Sequence, residues 1–134
     1  MSDATGKRAF FGNRRGAAAM EFALVVPLFC TMMFGILQYG VLMFVYTAMQ
    51  DTAREASRKL ATGATTASVA ASEARDALPH WIPAGSWTIV TTDAAAGATQ
   101  VSTSISIAAA NATVVDFVPM PETLSANAIM RKEA

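Results

Sequence analysis

Few residues in this chain have the type and setting to do chemistry. Glu21 stands alone at the edge of an apolar run from Phe22 to about Met49. A carboxylate near the hydrocarbon boundary of a membrane is costly unless it is paired, so its position asks for a partner. His80 is the only histidine. Beside Trp81 and between Pro79 and Pro83, it reads as a structural turn residue rather than a base. With no second histidine and no carboxylate cluster at ligand spacing, no metal site is expected. No glycine-rich phosphate loop follows a strand, and no nucleophile elbow is present. Catalytic residues, metal ligands and cofactors are all expected to be none, and the chain is not read as an enzyme. Cys30 is the only cysteine. That rules out an intramolecular disulfide and a cysteine-based zinc cage. Inside the apolar run it reads as a small buried hydrophobe.

What remains is chemistry done to the chain. A lipobox would need a small residue immediately before Cys30, and Phe29 is there. A secretory cleavage site would follow the apolar run with small residues one and three places before the cut. A cut after Ala48 would put Tyr46 in one of those places, and the run is too long for an ordinary signal core. The remaining candidate lies before the run, at Gly16. Cutting there discards only a basic leader and keeps the helix. Arg14 and Arg15, with Lys7 and Arg8, give residues 1–16 a net charge of +3, against −3 for residues 17–134. A basic flank before a span predicts a cytoplasmic N-terminus. The mildly acidic remainder has no electrostatic footprint for nucleic acid.

The elements that position these residues follow from periodicity. Residues 1–16 are polar and basic and should be mobile. Phe22 to Met49 is 28 residues, about 42 Å as a helix against ~30 Å of bilayer core. The helix must tilt or protrude, and it continues to about Ala61. There Met49, Ala53, Ala56 and Leu60 make a narrow apolar stripe. Asp51–Arg54 and Glu55 with Arg58 or Lys59 are opposite-charge pairs on one side, and Gly63 is a plausible C-cap. Pro27 lies inside the helix and should kink or loosen one turn by removing the bond to the Ala23 carbonyl. Residues 64–78 read as a second helix with Ala67, Ala70, Ala71, Ala74 and Leu78 on one face, capped by Thr65 or Thr66. Strict alternation follows in Ser86–Thr92, where Trp87, Ile89 and Thr91 share a face. It recurs in Gln100–Ile107, where Val101, Thr103, Ile105 and Ile107 oppose three serines. Asp93–Ala98 is a hairpin-length loop. Ala112–Val118 reads as a third strand, and Leu124–Met130 is ambiguous between a strand and a helix turn. The fold class is α+β: a basic leader (1–16), an N-terminal helix (17–62, membrane-spanning over about 22–48), and a small domain (63–134) with a short helix and an antiparallel sheet.

Glycine, four residues, glutamate, then a membrane-length helix is the layout of a type IV prepilin processing site. The stretch from Arg15-Gly16-Ala17 through Glu21-Phe22 to Pro27 resembles the start of the TadE-like pseudopilins of tight-adherence (Flp-type) pili. Gly35-Ile-Leu-Gln38-Tyr39-Gly40 resembles that family's Gly-Ile-x-[Glu/Gln]-[Phe/Tyr]-Gly stretch, and Ala53-Arg-Glu-Ala-Ser-Arg58 resembles the segment that follows. Ala128–Glu133 resembles the family's C-terminal end. Relatives often carry a periplasmic cysteine pair, which this chain lacks. The resemblance implies cleavage between Gly16 and Ala17 by a prepilin peptidase. It also implies a structural role in pilus assembly with other pilins, pseudopilins and machinery subunits. The protein would sit in the bacterial inner membrane as a single-pass chain, N-terminus cytoplasmic and domain periplasmic, with entry into an extracellular pilus left open. After cleavage the Ala17 α-ammonium would lie one helical turn from Glu21, and the pair would close within one subunit or between neighbours. The alternative is an unprocessed single-pass anchor or scaffold subunit.

Overall fold

The computed structural model describes residues 14–93, 99–113 and 117–132. Its first element, α1 (Arg14–Ala61), is one unbroken helix of 48 residues, about 70 Å long. Pro27 is its only proline. The helix ends where Gly63 takes a left-handed φ of 70°. The Gly63 N–H donates to the Leu60 carbonyl at 3.1 Å and the Ala64 N–H to the Lys59 carbonyl at 2.9 Å. These two bonds are a Schellman closure, which satisfies carbonyls a helix end leaves open.

The two halves of α1 have different surroundings. From Gly16 to Leu37 no residue is buried by the other described residues. From Gln38 onward, Gln38, Leu42, Val45, Met49, Ala53, Ala56 and Leu60 are all buried. Steps of four and three place them on one stripe. A second helix, α2 (Ala67–Ala77), and three strands cover it: β1 (Trp87–Thr92), β2 (Gln100–Ala108) and β3 (Thr123–Arg131). The sheet is antiparallel in the order β1-β2-β3. Trp87 stands opposite Ile107, and Ile107 opposite Leu124.

Alternation decides which face meets the helix. Trp87, Ile105, Ile107 and Leu124 join Leu42, Val45 and Met49 in one cluster. Val101 joins Ala56, Leu60, Ala70 and Ala74 in the other. Small side chains there let α1 and α2 lie close, and the Lys59 ammonium reaches Glu73 across them at 2.8 Å. Hydrogen bonding to Glu73, then that carboxylate's charge, raises the Lys59 pKa above its ordinary value. Both side chains are partly exposed, so the pair adds little to stability. The pairs expected from sequence, Asp51–Arg54 and Glu55–Arg58, are each 4.0 Å apart.

Several expectations need correction. The third strand is β3, not Ala112–Val118. The described part of that stretch, residues 112–113 and 117–118, is not strand, and residues 114–116 lie outside the described residues. β3 already fills the second edge of β2, so the connector has no place beside that strand. Thr66 does occupy the N-cap of α2, but makes no side-chain cap bond; its hydroxyl meets Ser68 Oγ at 3.2 Å. Cys30 is partly exposed rather than buried, because none of the described residues outside α1 covers that part of the helix. The leader is expected to be mobile over residues 1–16, but Arg14, Arg15 and Gly16 already belong to the first turn of α1; residues 1–13, like residues 94–98 of the hairpin loop, lie outside the described residues.

Thr103 is fully buried in β2, and its hydroxyl has no partner among the described residues. An unpaired buried hydroxyl costs about 1–3 kcal/mol, and an apolar group of the same shape removes that cost. Thr103→Val is therefore expected to raise stability by roughly 1 kcal/mol. Denaturant unfolding of the full chain, followed by Trp87 emission, checks it; a lower midpoint would contradict the assignment.

Candidate functional site: the processing end and the helix–domain joint

Local sequence builds the first part of the site. Gly16 and Ala17 lie in the first turn of α1, where backbone N–H groups lack intrahelical acceptors. Ala17 and Glu21 are four residues apart, so they share a face. Glu21 and Phe22 are both exposed. Among the described side chains no cation is in ion-pair range of Glu21. Arg14 and Arg15 open the helix on its N-terminal side. Six residues beyond Glu21, Pro27 offers no N–H to the Ala23 carbonyl. The Thr31 hydroxyl donates to the Pro27 carbonyl at 2.8 Å, a back-bond that itself tends to bend helices. One helix thus aligns Arg14, Arg15, Gly16, Ala17, Glu21, Phe22 and Pro27 within about four turns.

The second part includes Gly35, Gln38 and Tyr39 of the family-like stretch, to which the sequence alone assigns no role. Gln38 is buried at 4% exposure inside an apolar helix. Its Oε1 accepts from the N–H groups of Phe117 and Val118 at 2.9 and 3.0 Å. Its Nε2 donates to the Val118 carbonyl at 3.1 Å. The side-chain amide thereby does for the connector what a neighbouring strand would have done. Around it Phe34 and Phe117 stack at 5.9 Å between ring centroids. Val118 lies 3.6 Å from where a Cβ on Gly35 would stand, and the Tyr39 hydroxyl points at the Pro119 carbonyl at 3.4 Å. A lone uncharged amide in an apolar run was the available signal. Its partners are about 80 residues away in sequence, beyond the reach of local patterns.

Other candidates fall elsewhere. His80 is exposed in the turn after α2, away from Glu21, as a turn residue should be. Among the described residues, no three His, Cys, Asp or Glu side chains group as metal ligands.

A long apolar helix, exposed at one end and bound to a small α+β domain at the other, defines a chain that one helix could anchor in a membrane. α1 is long and apolar enough to cross a membrane once. Residues 16–58 match the model of the family described as TadE-like protein, and that match supports a TadE-like protein of the tight-adherence pilus system. The match runs from the candidate cleavage residue almost to the end of α1 and includes none of the sheet. No curated protein and no solved structure matches the chain. The family is one of pilus assembly rather than catalysis.

Replacing Gln38 with Leu would strand two N–H groups and a carbonyl. The expected cost is about 1–3 kcal/mol, with faster hydrogen exchange at the Phe117 and Val118 amides. Gln38→Glu keeps the acceptor and should restore most of that protection. Unchanged exchange in Gln38→Leu would show that the clamp does not hold the connector.

Proposed function

We propose that this chain is a minor pseudopilin of a tight-adherence, type IV-like pilus. In this reading a prepilin peptidase cuts between Gly16 and Ala17. The observation that carries the proposal is the TadE-like match, which begins at Gly16.

Arg14 and Arg15 hold the N-terminus on the cytoplasmic side of the inner membrane, and the sheet domain lies in the periplasm. Removal of residues 1–16 leaves a new α-ammonium on Ala17 at the start of the helix. Glu21 then acquires a cation one turn away, in its own subunit or on a neighbour entering the filament. An ion pair at the lipid boundary offsets the cost of holding a carboxylate there. Formed between subunits, it also sets their axial register. Phe22 supplies apolar contact beside it. Pro27 weakens the turn that follows, so the first turns can bend as the helix passes from lipid to packed helices. The partners in this scheme are the peptidase, other pilins and pseudopilins, machinery subunits and membrane lipid.

N-terminal sequencing of protein purified from membranes of a host with the matching peptidase tests the proposal. A chain beginning at Ala17 supports it. A chain beginning at Met1 or Ser2 favours the fixed single-pass anchor instead. Gly16→Val is expected to block processing, because a β-branched side chain crowds the cleft that accepts glycine; mature-sized product from that variant would refute the cleavage site. Glu21→Ala is expected to be processed normally but to reach sheared pilus fractions at a small fraction of the wild-type level. Undiminished assembly would reduce Glu21 to an interface residue.

A further inference from the structure

Two uncharged loops lie at the foot of the domain, on either side of α1. One is Leu78–Pro83, whose Trp81 is 49% exposed. Trp81 lines an apolar groove with Ile36, Leu37, Gly40, Val41 and Phe44. The other is Phe117–Pro121, held to α1 by Gln38 and by the contact of Phe117 with Phe34. At ~100° per residue the two sets of helix contacts fall on nearly opposite sides of α1. Neither loop contains Lys, Arg, Asp or Glu, and no such residue occurs between Asp76 and Asp93.

The length of the bare helix says what these loops meet. A bilayer core takes about 20 helical residues. Counted from Ala17 such a span ends at Ile36, and counted from Phe22 it ends at Val41. Both end points lie level with Phe117 and Trp81. A tryptophan half-exposed at that height is in the zone where amphipathic rings settle, between acyl chains and headgroups.

We propose that Leu78–Pro83 and Phe117–Pro121 form an interfacial collar that seats the domain directly in the outer surface of the membrane. The collar rests on the reading of α1 as a membrane span. It explains why an uncharged Phe-Val-Pro-Met-Pro segment is clamped at the helix rather than paired in the sheet. It also fixes how the domain faces the bilayer. Gln38 lies inside the collar, where its amide is satisfied by the connector and not by water.

Depth-dependent quenching tests this on the full chain in phosphatidylcholine vesicles carrying bromines near the headgroup or deep in the acyl chains. Trp87 is buried in the core, so Trp81 is the responsive one of two tryptophans. Shallow bromines are expected to remove roughly half of the wild-type emission, and Trp81→Phe is expected to abolish that loss. Phe117→Trp, placed in the Trp81→Phe chain, should restore it. Phe29→Trp in the same chain reports the span and should respond most to deep bromines. If Phe29→Trp is quenched while either loop reporter is not, the collar is wrong and the span stands. If Phe29→Trp is also silent, the span fails and the collar with it. A Trp81 blue shift that grows with protein-to-lipid ratio, without quenching, would mean a second copy covers the groove, and that too overturns the proposal.

Discussion

The structure depends on one constraint: a single helix without a break must satisfy two surroundings. Up to Met33 α1 is left almost wholly to whatever lies outside the described domain, and from Phe34 to Leu37 the two loops touch it without burying it. From Gln38 one stripe is buried against the sheet, while Asp51, Arg54, Glu55 and Arg58 face away. A helix is stiff along its backbone hydrogen bonds, so the bare half and the domain-bearing half keep a fixed relation. The expected span over about 22–48 overlaps the buried stripe at Leu42 and Val45. On that stretch the domain already occupies one side of the helix.

Gln38 stands at the changeover. An amide buried without partners would cost several kcal/mol in apolar surroundings. Here three hydrogen bonds use both of its ends. The clamp solves two problems together. It satisfies the amide, and it satisfies backbone groups of a connector that lies outside the sheet. Ser57 plays a similar part higher on the helix. It is fully buried and donates to the Ala128 carbonyl of β3 at 3.1 Å. Polar side chains of α1 thus tie it to the sheet at two levels.

Much of this was legible in sequence because it is periodic. Trp87–Thr92 and Gln100–Ala108 alternate, and they pair with the expected faces inward. The Met49-Ala53-Ala56-Leu60 stripe is buried as its spacing requires. Failures came where a distant partner decided the outcome. Val114 and Val115 gave Ala112–Val118 a strand-like composition, yet the edge of β2 went to Thr123–Arg131. That segment alternates too, but its inward residues include Ala126 and Ala128, which carry weak strand preference. Pairing, not propensity, made it a strand. Glycine, glutamate and the basic flank at the N-terminal end were legible as a motif. The joint at Gln38 was not, because no local pattern points to residues 117 and 118.

The bare half of α1 finally bears on why Glu21 stands where it does. From Gly16 to Gln50 it is the only charged side chain. Lipid and a bundle of like helices offer nearly the same solvent to Leu24, Leu28 or Met32, so those residues discriminate weakly between the two. A carboxylate discriminates strongly, since a cation held at fixed distance in an apolar medium is worth far more than headgroups reached by stretching. The preference for one surrounding over the other is thus concentrated in a single group. That group lies one turn from the residue that would become the new terminus. On the proposed pseudopilin reading, moving Glu21 a turn deeper would make the lipid state too costly, while moving it outward would weaken the discrimination, so a place at the boundary would meet both demands.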